Sequence, residues 1–268
     1  MSATAAGKTV TAGCYQFRLD SGEVEANLSR VERSLPSFQE QGCQLLVLPE
    51  MWSCGFVYRQ LPDMAGRTPE ILGAMRLWAV QHGMVLVGSL PEAAEDVIYN
   101  TAYVVDTNGE IAGSYRKMHL FSLHGEDRHF GRGTQPLVCN TRAGRVGVMV
   151  CYDLRFPELA RRLALDGAEL LCLSALWPTA RIEHWSILLR SRAIENQLFV
   201  IGCNGSDKEG RMPIGGKSAL ISPFGNTVAE AGSGEERLIA PLNMHEMGDF
   251  RKLIPCFADR FPAGYGVS

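Results

Sequence analysis

Three side chains with complementary chemistry stand at the ends of expected strands. Glu50 closes "LLVLPE", Lys117 follows "SYR", and Cys151 closes "VGVMVC". A carboxylate, an ammonium and a thiol at strand ends can cooperate in acyl transfer. The thiolate attacks a carbonyl, the carboxylate moves the proton, and the ammonium holds the developing oxyanion. Cys151 runs directly into "YDLRFPE", and Pro157 suits the first turn of a helix. A nucleophile at such a strand-to-helix turn is lifted above the sheet, beside backbone N–H groups that can hold an oxyanion. The competing assignment for a free cysteine is buried filler. Cys14 reads that way, because "CYQFRLD" continues without an immediate turn.

A thiol is mostly protonated near neutral pH and needs a base or a cation. His119, His124 and His129 are available, although the sequence places none of them at Cys151. Glu50 is the carboxylate candidate, against the alternative of a solvated residue at a strand end. Its neighbours Pro49, Trp52 and Phe56 predict an apolar surround, which raises the pKa toward a range useful to a base. Lys117 contributes only if its ammonium faces the thiol; otherwise it is a solvated edge residue. The three histidines recur every five residues, a spacing that fits neither a helix face nor a paired-ligand motif, so no metal is expected.

The elements that must position these groups follow one order twice. A strand "TVTAGCYQF" precedes a helix over residues 22–41, which Pro36 is expected to bend. The strand "CQLLVLPE", the helix "PEILGAMRLWAVQHG", the strand "MVLVGSLPE" and a hairpin of "IYNTAYVVD" and "EIAGSYRKM" follow. The second half gives "RVGVMVC", then the helix "PELARRLALDG" and the strand "AELLCLSALWP". After them come the helix "EHWSILLRSRAIENQ", the strand "LFVIGCNG" and the hairpin "KSALISPFGNTVAEA". Alternating strands and helices predict an α/β fold. Runs such as "LLVL" and "VLVG" suit strands buried on both faces. Two half-sheets packed face to face predict a four-layer α-β-β-α sandwich with internal pseudo-duplication. In open α/β sheets, sites gather beyond the carboxyl ends of strands. Trp177, after "LLCLSAL", joins the other three there.

Bulk properties narrow the class. The chain has 268 residues, 46% hydrophobic and 21% charged, with a net charge of −3. No basic stripe marks a nucleic-acid or membrane-surface binder. No apolar run approaches the roughly 18 residues of a membrane span, and no signal peptide is visible. The eight cysteines form no CxxC pair, so free thiols in a reducing cytoplasm are expected. One domain is expected over 1–268, with a core of about 10–249 and a tail over 250–268 lying extended on a surface.

The motifs "LLVLPEMW", "YRKMHLF" and "VGVMVCYDLRFPE", in that order, resemble the glutamate, lysine and cysteine motifs of the carbon–nitrogen hydrolases, the nitrilase superfamily. The resemblance spans about Val10 to Asp249 and implies the same four-layer sandwich. It implies Glu50 as general base, Lys117 as oxyanion cation and Cys151 as nucleophile. It adds a second glutamate, for which Glu126 in "HLFSLHGEDRHF" is the match, orienting the lysine and the substrate amide. The Tyr152 N–H would complete the oxyanion site. Tyr152 and Asp153 after the thiol favour amides, since true nitrilases usually carry Trp and Glu there.

The stretches "CYDLRFPELARRLALDGAELLCLSALWP" and "HWSILLRSRAIENQLFVIGCN" look like the ω-amidase branch, which cleaves the terminal amide of dicarboxylate monoamides such as 2-oxoglutaramate and 2-oxosuccinamate. Arg155 or Arg181 would anchor the substrate carboxylate, and Trp177 and Phe56 would line the pocket. No cofactor is implied. A homodimer is, with the tail packing on the partner. The alternatives are an amidase for deaminated glutathione or another aliphatic amide, and a catalytically silent interaction module on the same fold.

Overall fold

The computed structural model describes residues 9–265. Strand β1 (Thr9–Gln16) leads to helix α1 (Val24–Glu40), strand β2 (Leu45–Val47), and helices α2 (Leu61–Gly66) and α3 (Thr68–His82). Strands β3 (Val85–Ala94), β4 (Val97–Val105) and β5 (Ile111–Arg116) complete the first half. The second half holds β6 (Val138–Thr141), β7 (Gly144–Val150), α4 (Pro157–Leu165), β8 (Leu170–Ala175), α5 (Ile182–Asn196) and β9 (Phe199–Asn204). A small ladder of β10 (Lys208–Glu209) and β11 (Met212–Pro213) precedes β12 (Ala219–Ile221), β13 (Thr227–Glu230) and β14 (Glu236–Asn243). Helices α6 (His245–Leu253) and α7 (Pro262–Tyr265) close the described chain.

Two six-stranded sheets have matching orders, β14-β1-β2-β3-β4-β5 and β6-β7-β8-β9-β12-β13. In each, three adjacent strands, β1-β2-β3 and β7-β8-β9, are parallel and the remaining pairings are antiparallel. The pleat sorts side chains to alternate faces. Leu45, Val47, Val85 and Val87 point into the core shared with the second sheet, where Val146, Val148 and Val150 lie. Leu46, Leu48 and Leu86 point the other way, onto Val31, Leu35 and Phe38 of α1 and Ile71, Met75 and Ala79 of α3. Leu159 and Leu163 of α4 and Trp185 and Leu189 of α5 cover the second sheet. The four-layer α-β-β-α sandwich is therefore observed, with the pseudo-duplication visible in strand order.

Several boundaries differ from the sequence expectation. The strand expected to reach Glu50 leaves its ladder after Val47, because Pro49 has no N–H to donate. α1, by contrast, runs through Pro36 to Glu40, inside the expected span of 22–41. Strands β6 and β14, the β10–β11 ladder, and helices α2 and α6 were not anticipated. β14 pairs antiparallel with β1 over its whole length, so the C-terminal strand completes the N-terminal sheet. The core boundary expected near Asp249 falls inside α6, and the tail is not wholly extended, since Pro262–Tyr265 is helical. No helix among the described residues is long and apolar enough to cross a membrane.

Candidate active site

β2, β5, β7 and β8 run in the same sense within their sheets, so their carboxyl ends can bring Glu50, Lys117, Cys151 and Trp177 to one place. The chain after β2 crosses toward the second sheet. Glu50 N–H donates to the Ala175 carbonyl at 3.4 Å, and the Ser174 hydroxyl to the Leu48 carbonyl at 2.7 Å. Met51 then takes a left-handed conformation (φ 49°), its N–H held by Ser89 Oγ at 2.8 Å.

Glu50, Lys117 and Glu126 form a buried cluster. Lys117 Nζ lies 2.7 Å from Glu50 Oε1 and 2.8 Å from Glu126 Oε2. Glu50 also accepts from Asn100 Nδ2 at 2.9 Å and from the Leu176 N–H at 3.2 Å. Glu126 accepts from the Phe121 N–H at 3.2 Å. Burial opposes the charge on Lys117, but Glu126 and Glu50 outweigh it and hold the ammonium well above its ordinary pKa. Burial pushes the Glu50 carboxyl up, against the lowering charge of Lys117. An ammonium has three N–H donors. Two carboxylates face Lys117, with Glu126 reached through both of its oxygens, at 2.9 and 2.8 Å.

Cys151 occupies the turn between β7 and α4 with φ 43°. This is the left-handed region, uncommon for a residue with a Cβ and frequent at functional turns. Asp153 holds the turn. Its Oδ2 accepts from the Val150 N–H at 2.9 Å and from the Tyr115 hydroxyl at 2.8 Å. Its Oδ1 accepts from the His119 N–H at 3.1 Å and lies 2.7 Å from His119 Nδ1. Tyr115 is on β5 and His119 just beyond Lys117, so Asp153 ties the nucleophile turn to the lysine segment. Burial first, then the charge of Glu50, raises the Cys151 thiol well above its ordinary pKa; Lys117 and the Leu176 N–H oppose this. Burial and the two carboxylates thus favour the neutral thiol, and the ammonium opposes them. Tyr152 lies in the first turn of the short helix at Cys151–Arg155, where N–H groups lack an intrahelical acceptor.

A pocket of about 410 Å3, open mouth included, exposes this cluster. Glu50, Glu126 and Cys151 lie along it, with Phe56, Tyr152, Arg155, Trp177 and Arg181 on its walls. The structure thus gathers every site residue expected from the sequence, with Lys117 buried behind the carboxylates. Phe121 and Met212 also line it and had not been anticipated; of the three histidines weighed as partners for the thiol, His124 lines it too. The Arg155 guanidinium lies over the Trp177 ring at 4.7 Å, and that of Arg181 over Phe121 at 5.7 Å. Burial and then the Arg181 charge lower the pKa of Arg155. Neither arginine forms an ion pair with a carboxylate among the described residues. The histidines diverge: His119 stacks on Phe156, His129 on Tyr58, and His124 faces the pocket. No group of metal-ligating side chains is assembled among the described residues. Cys14 is buried in the core between the sheets, as its sequence context implied.

A strained cysteine turn braced against a buried Glu–Lys–Glu cluster, on a duplicated four-layer sandwich, defines a class. Residues 11–252 match the carbon–nitrogen hydrolase family model. The 2-oxoglutaramate amidase of Bacillus subtilis (strain 168) is 34% identical over 253 residues, covering 93% of this chain and 96% of that protein. Nit3 of Saccharomyces cerevisiae, a nitrilase-superfamily member, superposes with a TM-score of 0.87 at 30% identity, covering 95% of this chain and 97% of the other. A variant of the amidase from Nesterenkonia sp. AN1, carrying acrylamide added to its active-site cysteine, gives 0.82 at 27% identity, covering 92% of this chain and 98% of that one. The chain belongs to the carbon–nitrogen hydrolase family, and it is an enzyme that hydrolyses amides.

Proposed function

We propose that this enzyme is an ω-amidase acting on short dicarboxylate monoamides, with Cys151 as nucleophile, Glu50 as general base and Lys117 as oxyanion cation. The observation that carries the substrate class is the pair of guanidiniums, Arg155 and Arg181, on the walls of a pocket that leads to the thiol, with no protein carboxylate paired to either. Unpaired cations in a partly desolvated pocket fit a carboxylate carried by the substrate. The Bacillus subtilis relative, named for 2-oxoglutaramate, agrees with this class.

Burial disfavours a free thiolate at Cys151, so attack and proton transfer are coupled. Glu50 takes the Cys151 proton as the sulfur attacks the amide carbon. Lys117 and the Tyr152 N–H receive the oxyanion. Collapse returns the proton from Glu50 to the leaving nitrogen, and ammonia departs. Glu50 then deprotonates a water that attacks the thioester, and the carboxylic acid leaves as the thiol is restored. Glu126 holds the ammonium in line, and the protein needs no cofactor for these steps. Cysteine addition in the Nesterenkonia neighbour supports the nucleophile.

The chain is proposed to work as one domain in the cytoplasm, consistent with eight free cysteines. A homodimer is proposed through α5, α6 and the tail, where Ile187, Ile194, Leu253, Ile254 and Phe261 are exposed. A panel of ω-amides, with ammonia release measured for the native enzyme and for Arg155→Ala, tests the substrate class. The expected result is turnover of carboxylated amides by the native enzyme, with KM raised about tenfold or more in the variant, the scale of a charge-assisted hydrogen bond. An unchanged KM removes Arg155 as the anchor. Preference for peptide-like amides would favour the deaminated-glutathione class, and absence of any turnover the silent module.

A further inference from the structure

Glu209 lies outside the catalytic cluster, yet its carboxylate is buried. It accepts from the Phe56 N–H at 2.8 Å and from the Ser21 hydroxyl at 3.1 Å. Gly55 permits this approach: its φ is +66°, and a Cβ there would stand 2.5 Å from Glu209 Oε1. Burial raises the Glu209 pKa, against the bonds from Phe56 and Ser21. No cation pairs with it among the described residues. An acid buried without a counter-charge is costly, and two walls of the pocket meet through this one.

Phe56 is on the wall supplied by the first half of the chain, and Met212 on the wall supplied by the second. Glu209 is directly opposite Met212 in the β10–β11 ladder, and residues so paired share a face. The exit of this hairpin is fixed separately, by the bridge between Ile214 and Pro178 and by the Gly215 N–H donating to the Trp177 carbonyl at 3.0 Å. Glu209 is thus the link that joins the Met212 hairpin to the Phe56 segment.

We propose that Glu209 is a positioning residue that sets the width of the pocket by bracing Phe56 against the Met212 hairpin, and so restricts the enzyme to short, slender amides. This inference rests on the ω-amidase function proposed above, but its first test does not. Glu209→Ala, Glu209→Gln and Ser21→Ala are made in the full chain. Alkylation of Cys151 by iodoacetamide and by the bulkier N-benzyl iodoacetamide is followed by mass spectrometry of the Cys151 peptide. In Glu209→Ala the rate ratio between small and bulky reagent narrows about tenfold, the factor carried by one buried hydrogen bond to a charged group. Glu209→Gln keeps an acceptor for the Phe56 N–H and restores most of the native ratio. Ser21→Ala shifts the ratio less, in the same direction, and serves as the test if Glu209→Ala does not fold. A native ratio in whichever variant serves overturns the proposal.

The second test is kcat/KM for succinamate, glutaramate and adipamate. Loss of the brace flattens the chain-length preference through KM. An equal loss at every length, carried by kcat, means that Glu209 is only structural, and overturns the proposal. If the native enzyme hydrolyses none of the three while the alkylation ratio shifts as expected, the brace stands and the ω-amidase assignment falls.

Discussion

Asp153→Asn isolates the device that presents the nucleophile. Asp153 receives the Val150 and His119 backbone N–H groups on different oxygens, at 2.9 and 3.1 Å. An asparagine has one oxygen and one NH2 in their place. If its oxygen keeps Val150, the NH2 confronts the His119 N–H; if it is turned, the NH2 confronts the Val150 N–H. The Tyr115 hydroxyl can rotate to accept, and His119 can change tautomer, but a backbone N–H cannot adapt. One buried donor is orphaned in either orientation, and the remaining bonds lose their charge assistance. Together these cost about 2–4 kcal/mol. For a chain of this size that lowers Tm by roughly 4–16 °C.

The Cys151 turn, with φ 43°, then loses its restraint. A displacement of the thiol by about 1 Å costs about 100-fold in rate. Thermal unfolding followed by circular dichroism reads the first effect, and kcat for the best ω-amide reads the second. A variant with native Tm and native kcat would refute the assignment of Asp153 as the clamp on the turn.

Other outcomes follow from the same geometry. Glu50 must be ionised to act, and burial raises its pKa above the ordinary 4.5. Activity therefore falls as pH drops through that raised value, so an acid limb of kcat/KM at or below 4.5 contradicts the base assignment. Lys117→Met leaves Glu50 and Glu126 buried without their shared cation, a loss of about 3–5 kcal/mol for a broken buried pair. Urea unfolding at neutral pH measures it, and should show part of the loss recovered in Lys117→Met/Glu126→Gln. Asn100→Leu removes a 2.9 Å bond to Glu50 Oε1 and should lower kcat about tenfold with little change in KM, on the scale of one buried hydrogen bond. An unchanged kcat separates Asn100 from the catalytic carboxylate.

Glu50 and Cys151 were legible because each ends an apolar run, and Lys117 because it ends a hairpin strand; a strand that stops abruptly must present its last residue at an edge. The two sheets were legible for a related reason: strands buried on both faces need no polar alternation, and their runs recur in both halves. Glu126 carried no such mark and came only through family likeness. Asp153 was read in the sequence only as a family mark favouring amides; its clamp partners Tyr115 and His119 lie in the other half of the chain, and only the packing of the halves brings them together. Glu209 was hidden for the same reason, and Asn100 because its partner Glu50 is fifty residues away and reached only through the pairing of the first sheet. β14 escaped because "ERLIAPLN" mixes charges and proline with its apolar positions, and its partner β1 is at the opposite end of the sequence. The short β2 shows the reverse error: an apolar run ending in Pro49 and Glu50 reads as strand, while only Leu45–Val47 joins the ladder.

The central claim is that the amide is cleaved through a thioester on Cys151. Rapid acid quenching of the native enzyme during turnover of 2-oxoglutaramate or succinamate, followed by peptide mass spectrometry, tests it directly. The acyl group of the substrate is expected on the peptide bearing Cys151 and absent from Cys151→Ala, which also loses ammonia release. Sustained ammonia release by a folded Cys151→Ala, or an acyl group on any other residue, would contradict it.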